Sequence, residues 1–248
     1  MMLKYLNVKA FSTIAIVSSI VIWLILLLLN GIQPGFTLDA FKQLPTVFTI
    51  EGLLWAVFAK WGWRWRLLQG WLVPFPDLQG TWSGILRSSW INPETKHPEP
   101  PIPVQVVIRQ TFLNIHCILL TSESKSKSCC ACLDIDPETG EKYLTGTYIN
   151  TPRVRIRDRS QMHEGTVRLQ IVGMQKPILK GDYYTTRATK GDIQISFVSR
   201  ELQEAFVQPR SNVLTGGKFG KAELTGRATE DSQVAMIKSH GIDDRQQR

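Results

Sequence analysis

Four arginines, Arg153, Arg155, Arg157 and Arg159, recur at every second position and are interleaved with Val154 and Ile156. A planar guanidinium fork matches phosphate oxygens two at a time, so such a run suits an anionic ligand. A solvated arginine face beside an anionic membrane is the plainer use of the same residues. A second set lies along predicted strands: Trp82, Tyr148, Tyr183, Tyr184, Thr185 and Thr186, with Arg109 and Arg187 near them. Aromatic faces stack on bases, and cations meet phosphates. From both sets the expected ligand contacts are Trp82, Arg109, Tyr148, Arg153, Arg155, Tyr183, Thr186 and Arg187.

Nothing in the chain reads as a catalytic constellation. HExxH and GxSxG are absent, and Gly216–Lys221 (GGKFGK) only superficially resembles a phosphate-binding loop. The histidines, His97, His116, His163 and His240, are scattered. Cys129, Cys130 and Cys132 cluster, but no second Cys/His pair completes a zinc pattern. With Cys117 they read as small packing residues in a reducing compartment. The chain is therefore expected to be a binding module, not an enzyme, with no metal and no cofactor.

The elements that must position these residues fall into two parts. The 248 residues carry a net charge of +8, shared between the N-terminal quarter and the remainder. Part of that excess is topological, so DNA and RNA are not expected partners, whereas an anionic small ligand or lipid fits. Phe11–Leu29 is apolar and uncharged apart from Ser and Thr. At about 1.5 Å per residue it spans about 28 Å, close to the hydrocarbon thickness. Thr46–Trp63 is a weaker second span with Glu51 and Gly52 near its start and Lys60 near its end. Glu51 reads either as an interfacial anion or as a polar group used in helix association or pore formation.

Lys60–Gly84 reads as the exit from the membrane. Trp61, Trp63, Trp65 and Trp71 suit the headgroup level, and Lys60, Arg64 and Arg66 suit a cytoplasmic surface. Pro74 and Pro76 stop any helix. Cations flank both spans on one side, so both termini are expected inside and the short connecting loop outside.

From Thr81 to about Val198 the pattern is strand and turn. Strands are expected at 81–88, 103–110, 112–121, 126–135, 141–150, 165–172, 178–187 and 192–198. Val167, Leu169 and Ile171 alternate with Arg168 and Gln170, and Ile193, Ile195 and Phe197 repeat the pattern. Asp136–Gly140 and Lys190–Asp192 are the clearest turn signals. Eight short antiparallel strands make a closed barrel or a sandwich. The expected organisation is a two-helix membrane hairpin (1–66), a linker (67–80), a cytoplasmic β domain (81–200) and a polar, flexible tail (201–248).

Together these residues resemble a known family. Two N-terminal helices and a Trp/Arg exit lead into Pro76-Asp77-Leu78-Gln79-Gly80-Thr81-Trp82-Ser83-Gly84. Gln110-Thr111-Phe112, Tyr148-Ile149-Asn150-Thr151-Pro152, His163-Glu164-Gly165-Thr166 and Gly181–Arg187 follow. The order is similar to that of the SMODS-associating two-transmembrane, β-strand-rich effectors of bacterial anti-phage systems. The resemblance covers roughly residues 10–200. It implies a membrane-anchored all-β fold, with two transmembrane helices followed by an eight-stranded antiparallel lipocalin-like β-barrel at the inner membrane. It implies a cyclic dinucleotide ligand made by a partner nucleotidyltransferase. It also implies ligand-driven homo-oligomerisation, as in cyclic-oligonucleotide (CBASS) signalling, membrane disruption and death of the infected cell. Related effectors reverse the sign and are silenced by bound nucleotide. A membrane-anchored carrier of an apolar molecule and a filled structural barrel are the other readings. An Arg/Tyr/Thr lumen favours nucleotide, whereas a Leu/Phe/Met lumen favours lipid.

Overall fold

The computed structural model describes residues 5, 7–35, 37–92 and 96–207. Three helices come first: α1 (Val8–Leu29), α2 (Leu38–Phe41) and α3 (Leu44–Lys60). The Asn7 side chain accepts from Ala10 N–H and caps α1, and Pro45 sits in the first turn of α3, where its missing N–H costs nothing. Among the described residues α1 alone is long and apolar enough to cross a membrane, with 22 residues and a mean hydropathy of 2.7. The second expected span is present as a helix, but α3 has 17 residues and carries Glu51 in its interior. Aromatic packing and polar contacts join the two. Phe11 stacks on Trp55 at 5.3 Å, and Ser18 Oγ and Trp55 Nε1 donate to Glu51 Oε1 at 2.9 and 2.8 Å. Glu51 is thus a helix-association group within the hairpin.

Eight strands follow: β1 (Gly80–Ser88), β2 (Ile102–Gln110), β3 (Ile115–Leu120), β4 (Ser124–Ile135), β5 (Lys142–Pro152), β6 (His163–Val172), β7 (Ile178–Thr185) and β8 (Lys190–Ser199). Each pairs antiparallel with the next, and β8 returns to β1 to close the barrel. Closure leaves no sheet edge to template aggregation. The two-residue side-chain period sends one set of residues inward on every strand. On β6 these are Val167, Leu169 and Ile171, and on β8 Ile193 and Ile195. A register shift between Ser128 and Cys130 adds one residue to β4. This bulge preserves alternation on both sides: Ser124, Ser126 and Ser128 face inward before it, and Ala131 and Leu133 after it. All four cysteines are free. Burial pushes the Cys117 thiol up to about 12, so it is a neutral thiol in the barrel wall, whereas Cys129 and Cys130 are exposed and depart from the expected packing role.

The expected turn at Lys190–Asp192 is corrected. The chain reverses over Thr186–Thr189, where Ala188 adopts φ +60°, and Gly191 lies within β8. A Cβ on Gly191 would stand 1.9 Å from Arg87 O and 2.9 Å from Tyr183 Cε1, so this glycine serves close approach inside the sheet.

One end of the barrel is plugged. Trp63, Val73, Phe75, Leu78 and Trp82 are fully buried there. Trp61, Trp65 and Trp71 are exposed, as a membrane-interface belt requires, but Trp63 departs from that expectation and lies in the floor, 6.4 Å from the Phe112 ring. The same end receives α3, because Phe58 packs edge-on to Phe112 at 5.3 Å. Polar contacts fix the joint. Arg64 Nη2 donates to Gln79 Oε1 (2.9 Å) and to the Gln110 carbonyl (3.1 Å). Asp77 faces Arg64 at 3.7 Å and Arg200 at 2.8 Å. After β8, residues 201–207 run along the outside of β1 and β2. Thr81 Oγ1 donates to the Glu201 carbonyl, and Val207 N–H donates to Gln105 Oε1. Residues 208–248, which hold the rest of the expected tail, lie outside the described residues.

Candidate functional site

The other end of the barrel opens into a cavity of about 970 Å³. This is near the upper limit of the roughly 300–1,000 Å³ typical of small-molecule sites. Its floor is apolar, formed by Leu86, Val106, Leu119, Leu144, Val167 and Leu169. Its mouth is polar. Ser124, Ser126 and Ser128 form a hydroxyl ladder along β4, and Tyr148, Tyr183, His163, Arg159 and Arg187 stand around it.

Two tyrosines line the wall by the same device. Tyr148 pairs across the strands with Gly165, and Tyr183 pairs with Gly191. A Cβ on Gly165 would come within 2.5 Å of the Tyr148 ring. The glycines therefore let each ring lie close to the wall. Burial pushes the Tyr148 phenol up to about 12 and raises that of Tyr183, so both are neutral hydrogen-bonding aromatics. Asn150 is 7% exposed and accepts from Ser126 Oγ at 3.0 Å. With its oxygen so held, its Nδ2 is available to donate to a ligand. His163 is held below its ordinary 6.5, chiefly by burial and also by Arg187, while its Nδ1 contact with the Gln161 carbonyl at 3.0 Å opposes the shift.

Of the eight expected contacts, Tyr148, Tyr183 and Arg187 line this cavity. The other five lie elsewhere. Trp82 is in the plugged floor, where its Nε1 donates to the Leu78 carbonyl at 2.9 Å. Arg109 is exposed near the plugged end and pairs with His116 in the β2–β3 register. Thr186 turns to the rim and donates to the Glu164 carbonyl at 3.2 Å. Arg153 and Arg155 are exposed on the β5–β6 loop. A single 3-10 turn, Val154–Ile156, breaks their two-residue period, so the buried side chain is Ile156 and the arginine lining the cavity is Arg159. Asn150, Ser126 and Arg159 were not among the expected contacts. Alternation from Leu144 points Asn150 inward, but its partner Ser126 is visible only once the β4–β5 register is known.

No curated protein matches the chain. A family model described as Cap15, cyclic dinucleotide receptor domain, matches residues 73–196. The match starts at Val73 in the floor, takes in β1–β7 and runs into β8, which covers half of the chain. This agrees with the anti-phage effector resemblance and assigns the barrel with its plugged floor: the chain belongs to the Cap15 cyclic dinucleotide receptor domain family.

Proposed function

We propose that the barrel cavity binds a cyclic dinucleotide, supplied by a partner nucleotidyltransferase, and that its occupancy controls self-association of the membrane helices and thereby breaches the inner membrane. The observation that carries this reading is the arrangement of the mouth. Two neutral aromatic walls, a hydroxyl ladder and two arginines converge on a cavity of about 970 Å³. Rings stack bases, hydroxyls and Asn150 meet sugar and base edges, and guanidinium forks meet phosphates. The floor is rich in Leu and Val, so the polar mouth with its Tyr, Ser and Arg side chains is what favours nucleotide over a lipid tail.

The rest of the chain supplies an output. The helices join the barrel at its plugged end, opposite the mouth, through Phe58, Trp63 and Arg64. In this reading α1 and α3 both enter the bilayer, with both termini cytoplasmic. A single helix pair cannot line a wide pore, so several copies must assemble. Ligand biases that assembly only through its different affinity for the separate and assembled states. Calorimetry of the full-length protein in detergent against cyclic di-AMP, cyclic di-GMP and mixed cyclic dinucleotides tests the first step. Dye uptake by expressing cells, with and without the cyclase product, tests the second. Tight binding of at least one nucleotide and a ligand-dependent change in dye uptake are expected. Binding of fatty acids but of no nucleotide would replace this reading with that of a carrier.

His163 gives the site a pH dependence. Its folded pKa lies below 6.5, so the unfolded chain takes up the proton first. The stability tied to neutral His163 is complete above that ordinary value and is lost as the pH falls through the folded one. A dianionic ligand favours the imidazolium and raises the pKa in the complex. Affinity should therefore rise between about pH 7.5 and about pH 5.5 in the wild type and stay level in His163→Gln. An identical profile in the two proteins would remove His163 from the site.

A further inference from the structure

The β5–β6 loop crosses the open end of the barrel. It leaves β5 at Pro152, and Ile156 enters the cavity lining. The loop is tied on two sides of the mouth. Toward the β3–β4 turn, Arg153 N–H donates to the Glu123 carbonyl at 2.9 Å, and Arg159 Nη2 donates to Glu123 Oε1. Toward the β7–β8 turn, Arg187 Nη1 donates to Ser160 Oγ at 3.1 Å. The residues between Pro152 and His163 thus form a strap over the cavity, and its ties use both arginines that line it.

We propose that this strap is an arginine-exchange gate: Glu123 holds Arg159 while the cavity is empty, and a phosphate of the bound cyclic dinucleotide takes Arg159 in its place. The inference rests on the reading of the cavity as a cyclic-dinucleotide site. Such a ligand carries one negative charge on each of two phosphodiesters, and the cavity presents two arginines, Arg159 and Arg187. Glu123 also lines the cavity and repels an incoming anion. The Arg159–Glu123 pair is exposed, at 69% and 50% of the side-chain surface, and an exposed pair contributes little stability. A phosphate oxygen pair offers the same fork a bidentate partner and gives it a place inside the site. Exchange therefore favours the ligand. Arg187 holds Ser160 through Nη1 and keeps further N–H groups for the second phosphate, so one ligand engages residues tied to both sides of the strap. Glu123 acts as a positioning residue: it parks Arg159 and competes with the phosphate without touching the ligand.

The experiment is a double-mutant cycle on the full-length protein in detergent, read by calorimetry with the cyclic dinucleotide that binds the wild type most tightly. Arg159→Gln should weaken binding about tenfold. Glu123→Gln should tighten it several-fold, because the competitor and its repulsion are both gone. In the Arg159→Gln background the Glu123→Gln gain should shrink to the residual repulsion. Equal gains in both backgrounds would show that Glu123 does not act through Arg159 and would overturn the exchange. So would an Arg159→Gln protein that binds like the wild type. A wild type that binds no member of the panel would overturn the cavity reading itself, and this inference with it. Melting curves of all four proteins should coincide within a few degrees, since both side chains are surface groups.

Discussion

Trp82→Ala should lower the stability of the barrel by about 3–5 kcal/mol, the usual cost of emptying a large buried aromatic site. Trp82 is fully buried in the plugged end, its Nε1 donates to the Leu78 carbonyl, and its ring meets Phe197 edge-on at 5.6 Å. Its neighbours in the plugged end, Trp63, Val73, Phe75 and Leu78, are themselves fully buried, so the space left behind closes only in part. The melting temperature should fall by about 10 °C for a domain of this size. Trp82→Phe should fall by less, because a ring still fills most of the space, although part of the ring volume and the donor to the Leu78 carbonyl are lost. The floor also carries the joint to α3, so dye uptake should fall together with stability. Nucleotide affinity measured well below the melting transition should stay near the wild-type value. A large loss of affinity with unchanged melting would return Trp82 to the ligand site.

Ala131→Trp should abolish nucleotide binding, by about 100-fold or more, while the barrel remains folded. Ala131 faces inward just after the β4 bulge and lines the cavity, and its side chain makes no hydrogen bond. An indole there projects into open space where a ligand would sit. Overpacking a filled core costs about 1–3 kcal/mol, but here the cavity receives the ring, so the penalty should lie at the low end. The far-UV spectrum should keep its β form and the melting temperature should move by only a few degrees. Wild-type affinity in this variant would place the ligand outside the barrel. The substitution leaves the helices and the Arg64–Asp77–Arg200 joint untouched.

The architecture was legible in the sequence because local physics wrote it there. An uncharged apolar run near the N-terminus has the length of a bilayer, and α1 follows it. Alternation at period two marks Val167, Leu169 and Ile171 of β6 and Ile193 and Ile195 of β8 as core residues, whereas Phe197, next in the β8 pattern, is 40% exposed beside the β1 register shift. All eight expected strands are present with their ends shifted, and the one misplaced turn signal, Lys190–Asp192, lies inside β8. The motif order carried the family. Tyr148, Tyr183 and Arg187, singled out by residue type, all line the cavity.

Tertiary structure decided which residues of the right type meet. Arg153, Arg155, Arg157 and Arg159 look equivalent along the chain, yet a 3-10 turn rotates them apart and leaves Arg159 at the mouth. Gly191 has the composition of a turn but serves as a gap against Tyr183 and the Arg87 carbonyl, which only strand register brings together. Trp63 and Trp82 have the residue type of interface and ligand contacts, yet both are buried because the segment before β1 folds back to plug the barrel. Asn150 and Ser126 are 24 positions apart and become one hydrogen-bonded pair through the β4–β5 ladder. In each case residue type reports what a side chain can do, whereas its partner is set by strand register, a local turn or the plug segment, and a one-residue slip in register would exchange the faces.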